Sequence, residues 1–188
     1  MEAKKLSENF YDKIKPRLYQ RVGKELCLAY RVLDLGCGAC ELTLYLSETY
    51  GQKVTGVDIS SDSFPDGINT SKDTKRICCI RKNAARLTFI RNETIDATII
   101  FWALHEMENV QAILQETYRV LRPGGKILIV EFPRNSLAQK LWNENYFSKQ
   151  ELINYLDEGG FENIQARLIE NKQILWVSGH IYIKNNSK

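Results

Sequence analysis

Short apolar runs alternate along this chain with stretches whose apolar residues return every three or four positions. Arg31–Leu35 and Lys53–Asp58 read as strands. Between them Leu42, Leu46 and Thr49 share one helical face with Tyr45 beside them, which predicts a helix over 39–49. Strands follow at about Ile77–Ile80 and Ala97–Trp102, then a helix over Asn109–Leu121. Pro123-Gly124-Gly125 ends that helix and turns into a fifth strand, Lys126–Phe132. Upstream, Glu8–Tyr30 reads as helical, interrupted or restarted near Pro16. In Ser60–Thr74, Pro65 and Gly67 leave room only for a short, broken helix. Residues 133–147 form a linker. Ser148 with Glu151 three positions on is a capping box that opens a helix ending at Gly159-Gly160. Ile164–Glu170 and Ile174–Ile183 read as a terminal hairpin. Strands alternating with helices predict an α/β fold with a parallel sheet.

Composition narrows this little. The 188 residues suit a single domain, 1–188, and 44% hydrophobic content is enough for a real core. No apolar run approaches the roughly 18 residues of a membrane span. The first ten residues lack the apolar centre of a signal peptide, and five unevenly spaced cysteines point to reduced thiols in the cytoplasm. Net charge is +3, too small to demand a polyanionic partner. It is uneven, however: Lys72, Lys75, Arg76, Arg81, Lys82, Arg86 and Arg91 face only Asp73 in the same stretch. That run reads as a solvated edge beside the third strand. With no RNA-binding module in the chain, a nucleic-acid partner is not favoured.

The chemistry concentrates in Val32–Glu41 and Val54–Ile59. An apolar strand runs into a glycine turn, a helix follows, and a second strand ends in a carboxylate, the βαβ unit that holds nucleoside-like ligands. Dinucleotide sites carry G-x-G-x-x-G so that a pyrophosphate can meet the helix N-terminus. Gly36 and Gly38 fit, but the third position is Glu41, which would repel a pyrophosphate and tolerates a ligand without phosphate. S-adenosylmethionine is such a ligand. Asp34 could meet its ammonium, directly or through water, and Asp58, 24 residues later, could accept both ribose hydroxyls. An NAD site also uses an acid there, so Asp58 alone does not discriminate. Glu41 does.

These two blocks, with Ile95–Glu106 and Ala112–Glu131, resemble a class I S-adenosylmethionine-dependent methyltransferase of the ubiquinone/menaquinone-biosynthesis type. The resemblance implies a Rossmann-like three-layer αβα sandwich with a seven-stranded, mostly parallel sheet and an antiparallel last strand. It implies cofactor contacts from Asp34, Gly36, Cys37, Gly38, Asp58, Ile59, Asn83, Ala84, Phe101 and Tyr11. Asn83 stands where the family usually has Asp, although an amide carbonyl can still accept from the adenine amino group. Cys40 replaces a more usual glycine. His105, ending the segment beside the methyl group, is the candidate general base, and Glu131 faces the same crevice edge. Tyr11 and Tyr19 resemble tyrosines of a lid formed by residues 1–30. The short substrate-side linker 133–147 leaves the acceptor pocket open, or completed by a second copy in a homodimer.

Cys37 and Cys40 match C-x-x-C and Cys78-Cys79 are adjacent. Without a second ligand pair no metal is expected. The expected activity is methyl transfer to a small molecule. Its rivals are a non-catalytic cofactor-binding scaffold, an NAD-dependent oxidoreductase, and the same transfer to RNA or protein.

Overall fold

A computed structural model describes residues 9–68 and 76–182. In chain order the elements are α1 (Phe10–Glu25), β1 (Arg31–Leu35), α2 (Glu41–Tyr50), β2 (Lys53–Asp58), β3 (Ile77–Arg81), β4 (Ile95–Phe101), α3 (Val110–Val120), β5 (Leu121–Glu131), α4 (Leu137–Trp142), α5 (Lys149–Glu158), β6 (Glu162–Ile169) and β7 (Ile174–His180). One 3₁₀ turn, Leu104–Glu106, follows β4. The seven strands form one sheet in the order β3-β2-β1-β4-β5-β7-β6. β1 to β5 are parallel, and β7 inserts antiparallel between β5 and β6.

The period-two alternation of the strands sorts their side chains onto two cores. Leu33, Leu35, Val57, Ile100, Ile127 and Ile129 face α3 and α5, meeting Ile113, Leu114, Leu152 and Leu156. Val32, Val54, Ala97, Ile99, Leu128 and Val130 face α1 and α2, meeting Ile14, Leu18, Val22, Leu42 and Leu46. Each such side chain contributes about 1.5–3 kcal/mol by burial, so the central strands are pinned from both sides. Among the described residues no helix is long and apolar enough to cross a membrane.

Several boundaries depart from the sequence reading. α1 runs through Pro16 without a break, because Tyr11, Ile14, Leu18 and Val22 bury one continuous face and outweigh the lost backbone bond. α2 starts at Glu41, since Cys40 takes a left-handed conformation (φ 57°) that ends the turn before it. β5 begins at Leu121, with Pro123-Gly124-Gly125 inside its irregular first half. The linker 133–147 contains α4, whose N-cap Ser136 accepts from the Gln139 N–H. Residues 60–68 hold turns rather than a helix, and the rest of the expected broken helix lies outside the described residues.

The crossover from β3 to β4, residues 82–94, carries no helix. Arg119 of α3 holds it in place, donating to the carbonyls of Leu87 and Ile90 and to Asn92 Oδ1, while pairing with Glu116 at 2.8 Å. Glu116 in turn accepts from the Leu87 N–H. Replacing Arg119 by Ala should therefore cost about 1–3 kcal/mol, as expected for lost bonds to a charged group. Urea unfolding measures it, and a loss under about 0.5 kcal/mol would show that the crossover holds itself.

Candidate active site

The helices leave the sheet toward opposite faces after β1 and β4, which opens a crevice at the C-terminal ends of these strands. A cleft of about 200 Å³ sits there, lined by Lys15, Tyr19, Asp34, Gly36, Cys37, Gly38, Ala39, Glu41, Leu42, Phe101 and Trp102. Five of the expected cofactor residues thus share it: Asp34, Gly36, Cys37, Gly38 and Phe101. Asp34 is 2% exposed and accepts from Thr43 Oγ1 at 2.7 Å. Burial pushes its carboxyl up to about 6, with the Thr43 bond opposing and Asp58 adding to the rise.

The turn after β1 is tied down by its backbone. The N–H groups of Gly36 and Cys37 both donate to the Val57 carbonyl, at 2.8 and 3.2 Å. Gly36 has φ +73°, and a Cβ there would stand 2.4 Å from Ala103 Cβ, so only glycine fits. At Gly38 (φ +47°) a Cβ would meet nothing within 4 Å, which leaves its backbone open to close approach by a ligand.

Asp58 accepts from the Gly38 N–H (2.8 Å) and the Ser60 N–H (3.1 Å), one bond to each oxygen, so each oxygen keeps a lone pair. Ile59 beside it is 72% exposed, an uncovered apolar surface at the strand end. Asn83 and Ala84 follow β3, joined to this corner by the Lys82 N–H bonded to the Asp58 carbonyl at 2.8 Å. Asn83 is exposed, and its Oδ1 accepts from the Ala85 N–H at 2.8 Å. None of these four lines the 200 Å³ cleft; they extend the crevice edge beyond it.

Tyr11 stands elsewhere than expected. Its hydroxyl accepts from the Ala138 N–H of α4 (2.8 Å) and donates to Gln173 Oε1 (3.3 Å). Its ring packs on Phe132, Trp142 and the cleft-lining Trp102, but Tyr11 itself does not line the cleft. α1 reaches the cleft through Lys15 and Tyr19 instead. Lys15 pairs with Glu41, and Tyr19 donates to the same carboxylate at 3.3 Å. The Lys15 bond holds Glu41 below the usual carboxylate range against a smaller effect of burial. The signal for Lys15 was its place one helical turn before Tyr19, on the face that carries Tyr11 and Tyr19.

The expectation of reduced cysteines fails at one pair: Cys40 and Cys79 are joined as a disulfide, while Cys27, Cys37 and Cys78 are free. C-x-x-C spacing drew attention to Cys37 and Cys40, but Cys40 pairs instead with Cys79 of β3. Cys37 Sγ lies 3.8 Å from Cys40 Sγ, in space that exists because residue 56 is Gly. Burial, then the charges of Asp34 and Asp58, push the Cys37 thiol up and keep it protonated.

On the other side of the crevice His105 follows β4. Glu131, fully buried at the end of β5, meets its Nδ1 at 2.9 and 3.0 Å and also accepts from the Phe132 N–H. Nε2 faces Glu144 at 3.1 Å and Glu106 at 3.7 Å. Desolvation lowers the affinity of this imidazole for its proton, but the Glu131 bond and the charges of Glu131, Glu106 and Glu144 outweigh it, so the value is raised. An aromatic wall of Tyr11, Trp102, Phe132, Trp142 and Tyr146 surrounds the pair, with centroids 4.8–6.0 Å apart. Trp102 sits at φ +55°, costly for so bulky a residue, and its buried indole N–H has no hydrogen-bond partner among the described residues. Phe132, by contrast, reads in the sequence as an ordinary strand end.

A sheet in this order, with a glycine turn after β1 and acids ending β1 and β2, defines a Rossmann-like α/β domain. The chain belongs to the methyltransferase-domain family, whose pattern matches residues 33–129, just over half of its 188 residues. It is 34% identical over 116 residues to a demethylmenaquinone methyltransferase of Staphylococcus saprophyticus, covering 60% of this chain and 49% of that one. It is 33% identical over 125 residues to a ubiquinone/menaquinone biosynthesis C-methyltransferase UbiE of Syntrophotalea carbinolica, covering 63% and 52%. The match thus spans about half the length of these relatives. Among solved structures, the [4+2]-cyclase SpnF superposes with a TM-score of 0.75 at 17% identity, covering 89% of this chain and 81% of that one. A SAM-dependent methyltransferase of Archaeoglobus fulgidus gives 0.68 at 17% identity, covering 93% and 100%.

The His105–Glu131 pair carries a test. With the folded value raised above the ordinary 6.5, its stabilising contribution is complete below pH 6.5 and is lost as pH rises through the raised value. Glu131→Gln should bring the His105 titration down, followed by imidazole proton shifts, and should flatten the loss of stability between pH 6 and 8 in urea unfolding. An unmoved His105 titration would show that Glu106 and Glu144 set it.

Proposed function

We propose that this chain is an S-adenosylmethionine-dependent methyltransferase acting on a small-molecule acceptor. The observation that carries the reading is the C-terminal end of β1: a buried acid, an open glycine backbone and an acidic α2 start, with a second acid across at the end of β2. Glu41 in the first turn of α2 opposes a phosphate there and is compatible with a ligand whose tail carries an ammonium. The open space over Gly38 fits close approach by a polar ligand. The activities named for the two relatives above support the same reading.

In this site Asp34 would hold the ammonium and Lys15 the carboxylate of the amino-acid tail. The free lone pairs of Asp58 would take the ribose hydroxyls, Ile59 would cover one face of the adenine, and Asn83 and Ala84 would meet its edge. Cys37 packs beneath the tail as a neutral thiol. Phe101 lines the sulfonium side. S-adenosylmethionine supplies, when bound, a methyl group on a sulfonium, so the protein's main task is alignment, worth about 7–11 kcal/mol. His105, held by Glu131 through Nδ1, presents Nε2 as the atom that takes a proton from the acceptor, with exposed Glu144 giving way to it. Such a base adds about 10²–10⁴-fold. The same reading sets the reaction in the cytoplasm, with Cys27, Cys37 and Cys78 as free thiols, and lets a second copy cover the acceptor side near Trp142, which is 47% exposed.

Calorimetry with S-adenosylhomocysteine, using NAD as the control ligand, tests the cofactor. Micromolar binding of the first alone is expected, weakened at least about tenfold, or ~1.4 kcal/mol, by Asp58→Ala. Binding of NAD instead would overturn the reading. His105→Ala should leave that affinity unchanged and lower kcat. Cofactor binding without turnover on any acceptor would favour a non-catalytic role.

The carboxyl of Asp34 titrates near pH 6, and only its anion holds an ammonium. Affinity for S-adenosylhomocysteine should therefore fall as pH drops through 6, approaching about tenfold per unit below it, and Asp34→Asn should abolish the dependence. A flat wild-type profile between pH 5 and 7.5 would remove Asp34 from the ammonium site.

A further inference from the structure

A concavity larger than the cleft lies at the other end of the sheet. It measures about 410 Å³, twice the cofactor cleft and within the range of about 300–1,000 Å³ common for small-molecule sites. It exists because the β3–β4 crossover carries no helix. Residues 82–94 arch over the sheet as turns held by Arg119, and leave the start of β1 and β2 uncovered on that face. Thr55 of β2 and Ile80 of β3 line it together with Phe89, Ile90 and Thr94 of the crossover.

Its charge is one-sided. Arg31, Lys53 and Arg91 line it and no carboxylate does. Arg31 and Lys53 stand side by side in the β1–β2 register. None of the three side chains has an ion-pair or hydrogen-bond partner among the described residues. Asp96, next to Ile95, is already committed: it pairs with Arg122 at 3.0 Å and accepts from the backbone N–H groups of Tyr30 and Arg31. The crossover adds an unpartnered ring. Phe89 is 38% exposed and stacks on no aromatic residue among those described.

Three unneutralised cations and a free aromatic face match one chemistry. Arginine and lysine take phosphate oxygens, and an aromatic ring takes a base by stacking, which is worth about 1–3 kcal/mol per base. We infer that this groove binds a nucleotide, phosphate toward Arg31, Lys53 and Arg91 and base against Phe89, independently of the cofactor cleft. The ligand is either a free nucleotide or one residue of a single-stranded RNA, since both present the same phosphate and base. Of the basic stretch 72–91, Arg91 lines this groove, and residues 72–75 lie outside the described residues.

The experiment titrates the full chain with ADP while S-adenosylhomocysteine is saturating, and repeats it on Asp58→Ala, in which ADP lodged in the cofactor cleft would be lost and ADP in this groove retained. The double variant Lys53→Glu/Arg91→Glu should weaken ADP at least about tenfold, and Phe89→Ala at least about threefold. Both leave the Kd of S-adenosylhomocysteine and the circular dichroism unchanged, because these side chains are exposed and far from the cleft lining. Inorganic pyrophosphate and an octauridylate are the comparison ligands. An octauridylate that binds at least tenfold tighter than ADP, with steep salt dependence, identifies RNA as the source; ADP binding as tightly identifies a free nucleotide. Absence of binding by both overturns the proposal. So does ADP affinity that survives the double charge reversal, or pyrophosphate binding as tightly as ADP.

Discussion

Everything at the candidate active site hangs from a strand that has no freedom to move. β1 lies between β2 and β4, and from Val32 onward it is buried on both faces. Val32 and Leu33 belong to opposite cores, so a slip of one residue would exchange both faces at once. That constraint fixes where Asp34 stands and where the chain must turn. Gly36 then has to be glycine, because Ala103, which follows β4, occupies the space a side chain would need. The loop's position is thus a consequence of core packing, and the backbone that approaches a ligand is rigid before any ligand arrives.

The same logic holds a second, polar anchor where β4 and β5 end. Glu131 is a wholly buried carboxylate, tolerable only because the Phe132 N–H and the His105 imidazole satisfy it. Burial of the one therefore dictates the orientation of the other. An imidazole bonded through Nδ1 to a carboxylate in a low-dielectric site has its tautomer chosen for it, leaving Nε2 as the atom that exchanges protons. The strained backbone at Trp102 and its unpartnered indole N–H lie between these two anchors. Local costs gathered at one place, with stable packing all around them, are what a binding site built on a rigid sheet should show.

Much of this was legible because the informative residues obey local rules. Strand ends, the glycine turn, the acids 24 residues apart and the Ser148–Glu151 capping box each announce themselves within a few positions. What stayed hidden depends on contacts distant in sequence. Tyr11 sits at helical spacing from Tyr19, yet its hydroxyl is claimed by Ala138 and Gln173, 127 and 162 residues away. Cys40 pairs with Cys79 across two strands, which no C-x-x-C spacing foretells. α4 escaped because six residues are too few to show a period, and Pro16 misled because a buried face can outweigh one missing hydrogen bond.

The crossover between β3 and β4 shows how an omission can shape a surface. A helix there would have covered the sheet face over β1 and β2, as α3 and α5 do further along, and would have neutralised or displaced Arg31 and Lys53. Turns braced by Arg119 achieve the connection with fewer residues and less burial, and the groove they leave is lined by cations that nothing in the described chain neutralises. Unpaired like charges held side by side disfavour the fold, so a structure that keeps them is expected to obtain something from an anion. The two ends of the sheet therefore differ in charge: Asp34, Glu41 and Asp58 gather beside Lys15 at the C-terminal edge, and Arg31, Lys53 and Arg91 line the groove at the other end without a carboxylate among them.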